Sequence, residues 1–227
     1  MKPFIFTARE GIHVIDLSIT RKCLEEACGF LKKKAGEGAR IVFVGAKRQA
    51  AHVIREEAQK AKIFYITERW AGGLLTNFEN TKKPIERLVE VEKILQSEEE
   101  LSALTTKEKF GLKKENERLT KLVGGLKGLK QAPEVLFIVD PVRERVALRE
   151  AVKMDVPVVA LLDTNGDPTD ISYPIPGNDD ALRSISLIVK TVAEAVIEGR
   201  GKRKDLPAIR FAKAKQAGKK EKSKDAK

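Results

Sequence analysis

Apolar residues recur along this chain in two alternating rhythms. Four short runs rich in β-branched residues, ARIVFVG, IFYI, PEVLFIVD and VPVVALLD, read as buried strands. Before, between and after them, apolar positions three and four apart predict helices. One covers about residues 18–34, with Leu24, Ala27, Cys28 and Leu31 in line, Ser18 or Thr20 as cap, and Gly36 and Gly38 as its end. A second is AKRQAAHVIREEAQKAK, with Ala51, Ile54, Ala58 and Ala61 on one face. PVRERVALREAVKMD is a third, and residues 179–198 form the last, closed by Gly199. YPIP, with two prolines, fits only an edge strand. Ahead of all these, residues 3–6 and 12–17 predict a small hairpin around Arg9-Glu10-Gly11.

The strand–helix alternation breaks once. Residues 80–130 hold no strand pattern and read as two helices, with Leu88, Val91 and Leu95 on the first and Leu112, Leu119, Leu122, Leu126 and Leu129 on the second. Thr105 and Glu108 stand at capping-box spacing before the second. Alternating charges fill the remaining positions, as on helices exposed around most of their circumference. The reading is an antiparallel, coiled-coil-like hairpin projecting from the sheet and leaning on its base or a partner for stability. Residues 1–78 and 131–199 then form an α/β domain, 79–130 the inserted helical hairpin, and 200–227 an appended tail. Five mostly parallel strands with helices on both faces suit a flavodoxin-like, doubly wound sheet of order 2-1-3-4-5, which keeps every crossover right-handed and short.

Charge changes the picture at one end. The formal net charge is +11, yet the segment from residue 199 onward holds 12 Lys or Arg against 3 Asp or Glu. The body is therefore close to neutral. A Lys/Ala/Gly-rich tail with few apolar residues is expected to be disordered alone and to order, if at all, against a polyanion. No apolar run approaches the roughly 18 to 20 residues of a membrane helix, and MKPFIFTAREG has no leader pattern, so the expectation is a soluble, unexported chain with no membrane partner. Cys23 and Cys28 fit neither a disulfide framework nor a metal pair.

Candidate chemistry gathers in DTNGDPTDISYPIPGNDDA. Asp140 and Asp163 each end a strand, and Asp167, Asp179 and Asp180 follow nearby, so several carboxylates can meet at the carboxyl edge of the sheet, where such folds place ligands. Hard cations such as Mg²⁺ suit such oxygen clusters. A hydrolase using Asp163 is one reading. Against it, there is no glycine-rich phosphate loop, no His or Cys metal spacing, and neither His13 nor His52 sits in a triad context. Turn-making by Asp163, Asn165 and Asp167 and capping by Asn178 or Asp179 explain the acids without catalysis. No cofactor and no metal is expected. Lys47 and Arg48, opening a helix after a strand, can hold a phosphate or merely face solvent. Arg69, Trp70 and Asn77 lie in the glycine-containing junction that feeds the hairpin; Trp70 stacks on a partner or packs the hairpin base. Lys82, Lys83, Arg87, Lys113, Lys114 and Arg118 can follow an RNA backbone or form a solvated face.

MKPFIF, GIHVIDL, VGAKRQA, RWAGGLLTNF, DTNGDP and YPIPGNDDA, in this order and at these separations, resemble the small ribosomal subunit protein two (S-two, uS-two) family, bacterial or organellar, from Met1 to about Arg200. The resemblance implies a structural protein of the small subunit that lies on small-subunit ribosomal RNA between head and body. It also implies help in docking ribosomal protein one, on a cytoplasmic or organellar ribosome. Family members usually carry a further segment, with a helix and a Gly-His-bearing stretch, ahead of the MKPFIF-like phrase. Acids matching Asp163 and Asp179 can meet a histidine from it, so contacts made through that segment are not carried over and no ion is assigned. The RNA-binding candidates are Lys47, Arg48, Arg69, Lys82, Lys83, Lys113, Lys114, Arg200, Lys202, Arg203 and Lys204, touching phosphates rather than reading bases. Trp70, Asp163, Asp179 and Asp180 are the candidates for contact with neighbouring ribosomal proteins. A protein-interaction module outside the ribosome, using the hairpin as a helix pair, is the remaining alternative.

Overall fold

The computed structural model describes residues 1–201. It opens with a two-stranded antiparallel hairpin, β1 (Ile5–Arg9) and β2 (Ile12–Ile15), apart from the main sheet. Glu10 and Gly11 both have positive φ, 50° and 82°, the conformation that joins strands through two residues while matching their twist. Helix α1 (Leu17–Glu37) follows. Its cap is Asp16, whose side chain accepts from the Ser18 and Ile19 amides, and neither Ser18 nor Thr20 fills that role. Gly36 lies inside the helix, and Gly38, left-handed at φ 84°, ends it.

The core is a five-stranded sheet of order β4-β3-β5-β6-β7, in which every pairing is parallel. Its strands are β3 (Ile41–Val44), β4 (Phe64–Ile66), β5 (Val135–Val139), β6 (Val158–Leu162) and β7 (Tyr173–Pro176). The three inner strands are buried along their whole length, which is why they read as unbroken apolar runs. Helix α2 (Arg48–Lys60) connects β3 to β4, α6 (Arg145–Lys153) connects β5 to β6, and α7 (Leu182–Gly201) ends the described chain. Ile41, Phe43, Phe137 and Leu161 point to the face covered by α1, α2 and α7. Val42, Val44, Leu136 and Ile138 point to the other, where Ala147 and Ala151 of α6 meet them.

The interruption between β4 and β5 is α3 (Phe78–Gln96), a short α4 (Glu98–Ser102) and α5 (Thr106–Val123). Thr105 and Glu108 form the reciprocal capping box. Along the seam Leu88, Val91, Leu119 and Val123 are buried, but Leu122 is 46% exposed. From Leu119 the inward position is four residues on, so Val123 takes the place expected for Leu122. Ile85, Leu88, Leu119 and Val123 join the same apolar cluster as β3 and β5. The pair therefore draws its stability from the sheet beneath it. Gly125, just past α5, lies so close to edge strand β4 that an added Cβ would come within 2.2 Å of the Tyr65 carbonyl oxygen, which covers that edge. At the opposite edge Pro174 and Pro176 sit in β7, where no further strand needs their missing N–H.

Candidate functional site

The carboxyl ends of β3, β5, β6 and β7 deliver Lys47, Asp140, Asp163 and the pair Asp179–Asp180 to one edge of the sheet. Asp140 turns the chain out of β5 in the left-handed region, φ 62°, which aspartate tolerates better than most residues. Asp179 is 3% exposed and Lys47 8%. The Lys47 ammonium lies 2.6 Å from Asp179 Oδ1, 2.6 Å from Asp180 Oδ1 and 3.5 Å from Asp140 Oδ2. Burial alone would lower its pKa; the hydrogen bonds to Asp179 and Asp180, with the charge of Asp140, override that and hold it well above the ordinary lysine value. Burial pushes the Asp179 carboxyl up, and Asp140 and Asp163 reinforce this against the pull of Lys47.

This corrects the reading of Lys47 as a phosphate ligand. A cation already facing three carboxylates has no charge left for an incoming anion, and those carboxylates would repel one. The start of α2 is closed in the same way. The Ala46 amide, which would face a phosphate, donates to Glu144 Oε1 at 2.8 Å. Glu144 is 4% exposed, and burial holds its carboxyl above the ordinary value despite that bond and the nearby Arg143. Gly45 lies just before it, where a Cβ would stand 2.4 Å from Ile54 Cδ1 and push that side chain aside.

Carboxylate oxygens of Asp163, Asp179 and Asp180 come within 4.8 Å of one another, a grouping able to hold a cation. The donor set does not suit a divalent metal as built, because the Lys47 ammonium already lies against two of the three acids. The cluster carries its own counter-charge. Asp163 Oδ1 accepts from the Thr164 amide at 2.6 Å, and Asn178 Oδ1 accepts from Asp180 and Ala181, so both make turns. That Asn178 turn sets the start of α7 at Leu182, later than residue 179. Asp179 is too buried for a protein interface, whereas Asp163 is half-buried and the Asp180 side chain 68% exposed.

The β4–α3 junction is organised by Glu150 of α6. Its Oε1 accepts from Trp70 Nε1 at 3.2 Å and the Gly73 amide at 2.7 Å, and its Oε2 accepts from the Leu75 amide at 3.0 Å. Gly73 turns the chain at φ 94°. Trp70 is 5% exposed, so its ring packs the junction. Asn77 opens α3 without a side-chain cap. Arg200 is also committed inside the molecule: its Nη1 donates to the Ala61 and Lys62 carbonyls, 2.8 Å each, closing the end of α2. Lys202, Arg203 and Lys204 lie outside the described residues.

Other cations remain on the surface. Arg48, Arg69, Lys83, Lys113 and Lys114 are exposed and have no ion-pair partner among the described residues. Lys82 pairs with Glu86 at 2.9 Å, and Arg87 with Glu115 at 3.0 Å. Burial and Glu198 push the half-buried Cys28 thiol up to about 11, far from a reactive thiolate, and both cysteines are free.

The family model described as Ribosomal protein S2 matches residues 1–199. The chain belongs to the ribosomal protein S2 family. For an S2 protein the geometry now has a plain sense: the edge of the sheet where related folds bind ligands is filled by a lysine and its acids, and the family's role is structural, as part of the small ribosomal subunit. S2 membership carries translation and ribonucleoprotein assembly with it. No described helix is long and apolar enough to cross a membrane. Two side chains central to this S2 fold, Glu144 and Glu150, escaped the sequence reading. Glu144 had a signal, since it falls on the Ala147–Ala151 stripe of α6, and an acid on a buried face needs a donor.

Proposed function

We propose that this chain binds small-subunit ribosomal RNA by shape and phosphate contact, through Arg48, Arg69, Lys83, Lys113 and Lys114 on the body and helix pair and Lys202, Arg203 and Lys204 in the tail. The acidic corner, with Asp163 and Asp180 outward, faces neighbouring ribosomal proteins and helps dock ribosomal protein one, on a cytoplasmic ribosome. The observation that supports this reading is the division of charge within an S2-family chain: buried charges are matched internally, while the named body cations are exposed without ion pairs. Lys82 contributes by exchanging Glu86 for phosphate. RNA bound this way is recognised by the path of its backbone, and the affinity falls steeply with salt.

Sedimentation tests it. The full chain is expected to travel with the small subunit at low salt and ample Mg²⁺ and to leave it at high salt. A chain found free of ribosomes at low salt would sink the proposal. Removing residues 201–227 is expected to flatten the salt dependence of RNA binding with the fold intact.

A further inference from the structure

The acid that caps helix α6, Glu144, and the one acid within it, Glu150, are both engaged inside the molecule. Glu144 is buried on the Ala46 amide, and Glu150 gathers the junction around Trp70 and Gly73. On the opposite side stand Arg145, Arg149 and Lys153, at i, i+4 and i+8, about 6 Å apart along the axis. All three are exposed and form no ion pair among the described residues. Ala147 and Ala151, on the far side of the helix, are fully buried against the sheet, which fixes the outward direction of the row. Val146 and Val152, each 45% exposed, flank it. The exposed acids nearest in the chain are at its carboxyl end, where Asp155 and Asp170 line a shallow recess with Val152.

We infer that the outward face of α6 is an RNA-backbone-binding ridge, with Arg145, Arg149 and Lys153 each meeting a phosphate of one strand. The inference rests on the ribosomal RNA reading above and adds a surface to it. Arrangement decides between RNA and a protein partner. A protein interface places apolar residues at the centre and charges at the rim; here the charges form the central row and the valines lie to its sides. Guanidinium groups grip phosphate through two parallel N–H bonds. The row belongs to a helix whose inner side is locked to the sheet, so little ordering opposes binding. Face α6 also lies on the same side of the sheet as the α3–α5 pair, so one RNA surface can run across both.

The test uses the full chain and protein-free small-subunit ribosomal RNA, with affinity measured across a salt series. Arg145→Gln/Arg149→Gln/Lys153→Gln is compared with Lys22→Gln/Lys33→Gln/Arg183→Gln, which removes the same charge from exposed positions on α1 and α7 across the sheet. Circular dichroism checks that both fold. The α6 variant is expected to lower the slope of log affinity against log salt by about 2 to 3, and the control to leave it near wild type. Equal loss in both variants would show a net-charge effect and overturn the ridge. A wild-type slope in the α6 variant would overturn it while leaving the RNA reading standing. Absence of RNA binding by the unaltered chain would remove both proposals together.

Discussion

The carboxyl edge of the sheet and the outer surface of the helix pair carry similar residues in opposite circumstances. At the sheet edge Lys47 is buried, lies 2.6 Å from two aspartates and ties together the ends of β3, β5 and β7. On the helix pair Lys83, Lys113 and Lys114 are exposed and unpaired among the described residues. A buried charge must be matched where it stands, and once matched it serves the fold. An exposed charge is hydrated and weakly held, so it remains available to a polyanion. Residue type therefore says little about function here; burial and partnership decide it.

Breaking the buried side should have the largest effect. Lys47→Met leaves Asp140, Asp179 and Asp180 facing one another and is expected to cost about 3–5 kcal/mol in urea unfolding. A loss under 1 kcal/mol would show that the cluster is solvated and the contrast false. Lys47→Met combined with Asp179→Leu should recover part of that loss, because the pair is removed as a unit. Glu150→Gln weakens the acceptors of four N–H groups, those of Trp70, Gly73, Leu75 and Thr76, at about 1–3 kcal/mol. It should also shift the emission of Trp70, the only tryptophan, to the red as the junction opens. Unchanged emission would mean the loop is held by its apolar packing alone.

Acidity sharpens the comparison further. Asp179 and Glu144 have raised pKa values in the folded state, so between the ordinary carboxylate range and those raised values the folded protein binds protons that the unfolded chain does not. Stability should therefore rise as pH falls from neutral into that window, and Asp179→Asn with Glu144→Gln should remove the rise. Lys47 acts at the other end: its raised value gives stability that is present at neutral pH and lost as pH climbs through it. The smallest effect belongs to the surface. Arg87→Ala breaks the pair with Glu115, but Arg87 is 43% exposed, and solvent screening keeps the loss below about 1 kcal/mol.

The strands themselves, the capping box at Thr105 and the helix pair were readable because each rests on local pattern: β-branched runs, a fixed spacing, an absence of strand signal; the order of the strands followed from the rule that crossovers are short and right-handed. Which cation is buried was not. Lys47 and Arg48 are adjacent and equally basic, and only the arrival of Asp140, Asp179 and Asp180 from strands far along the chain distinguishes them. Arg200 was likewise indistinguishable from the cations after it until α7 set it beside the Ala61 and Lys62 carbonyls. Trp70 left two readings open in the sequence, stacking on a partner or packing the hairpin base, because the residue that fixes it, Glu150, lies 80 residues away. Long-range pairing escapes local pattern, and the buried charges are all long-range pairs.

The measurement that bears most directly on this division is the salt dependence of affinity for small-subunit ribosomal RNA, for two altered chains against the original. In one, Arg48, Arg69, Lys83, Lys113 and Lys114 are changed to Gln; in the other, Lys47→Met is combined with Asp179→Leu. The first is expected to flatten the slope by about 3 to 4, and the second, once folded, to keep it. A flattened slope in the second chain and an unchanged one in the first would contradict this division.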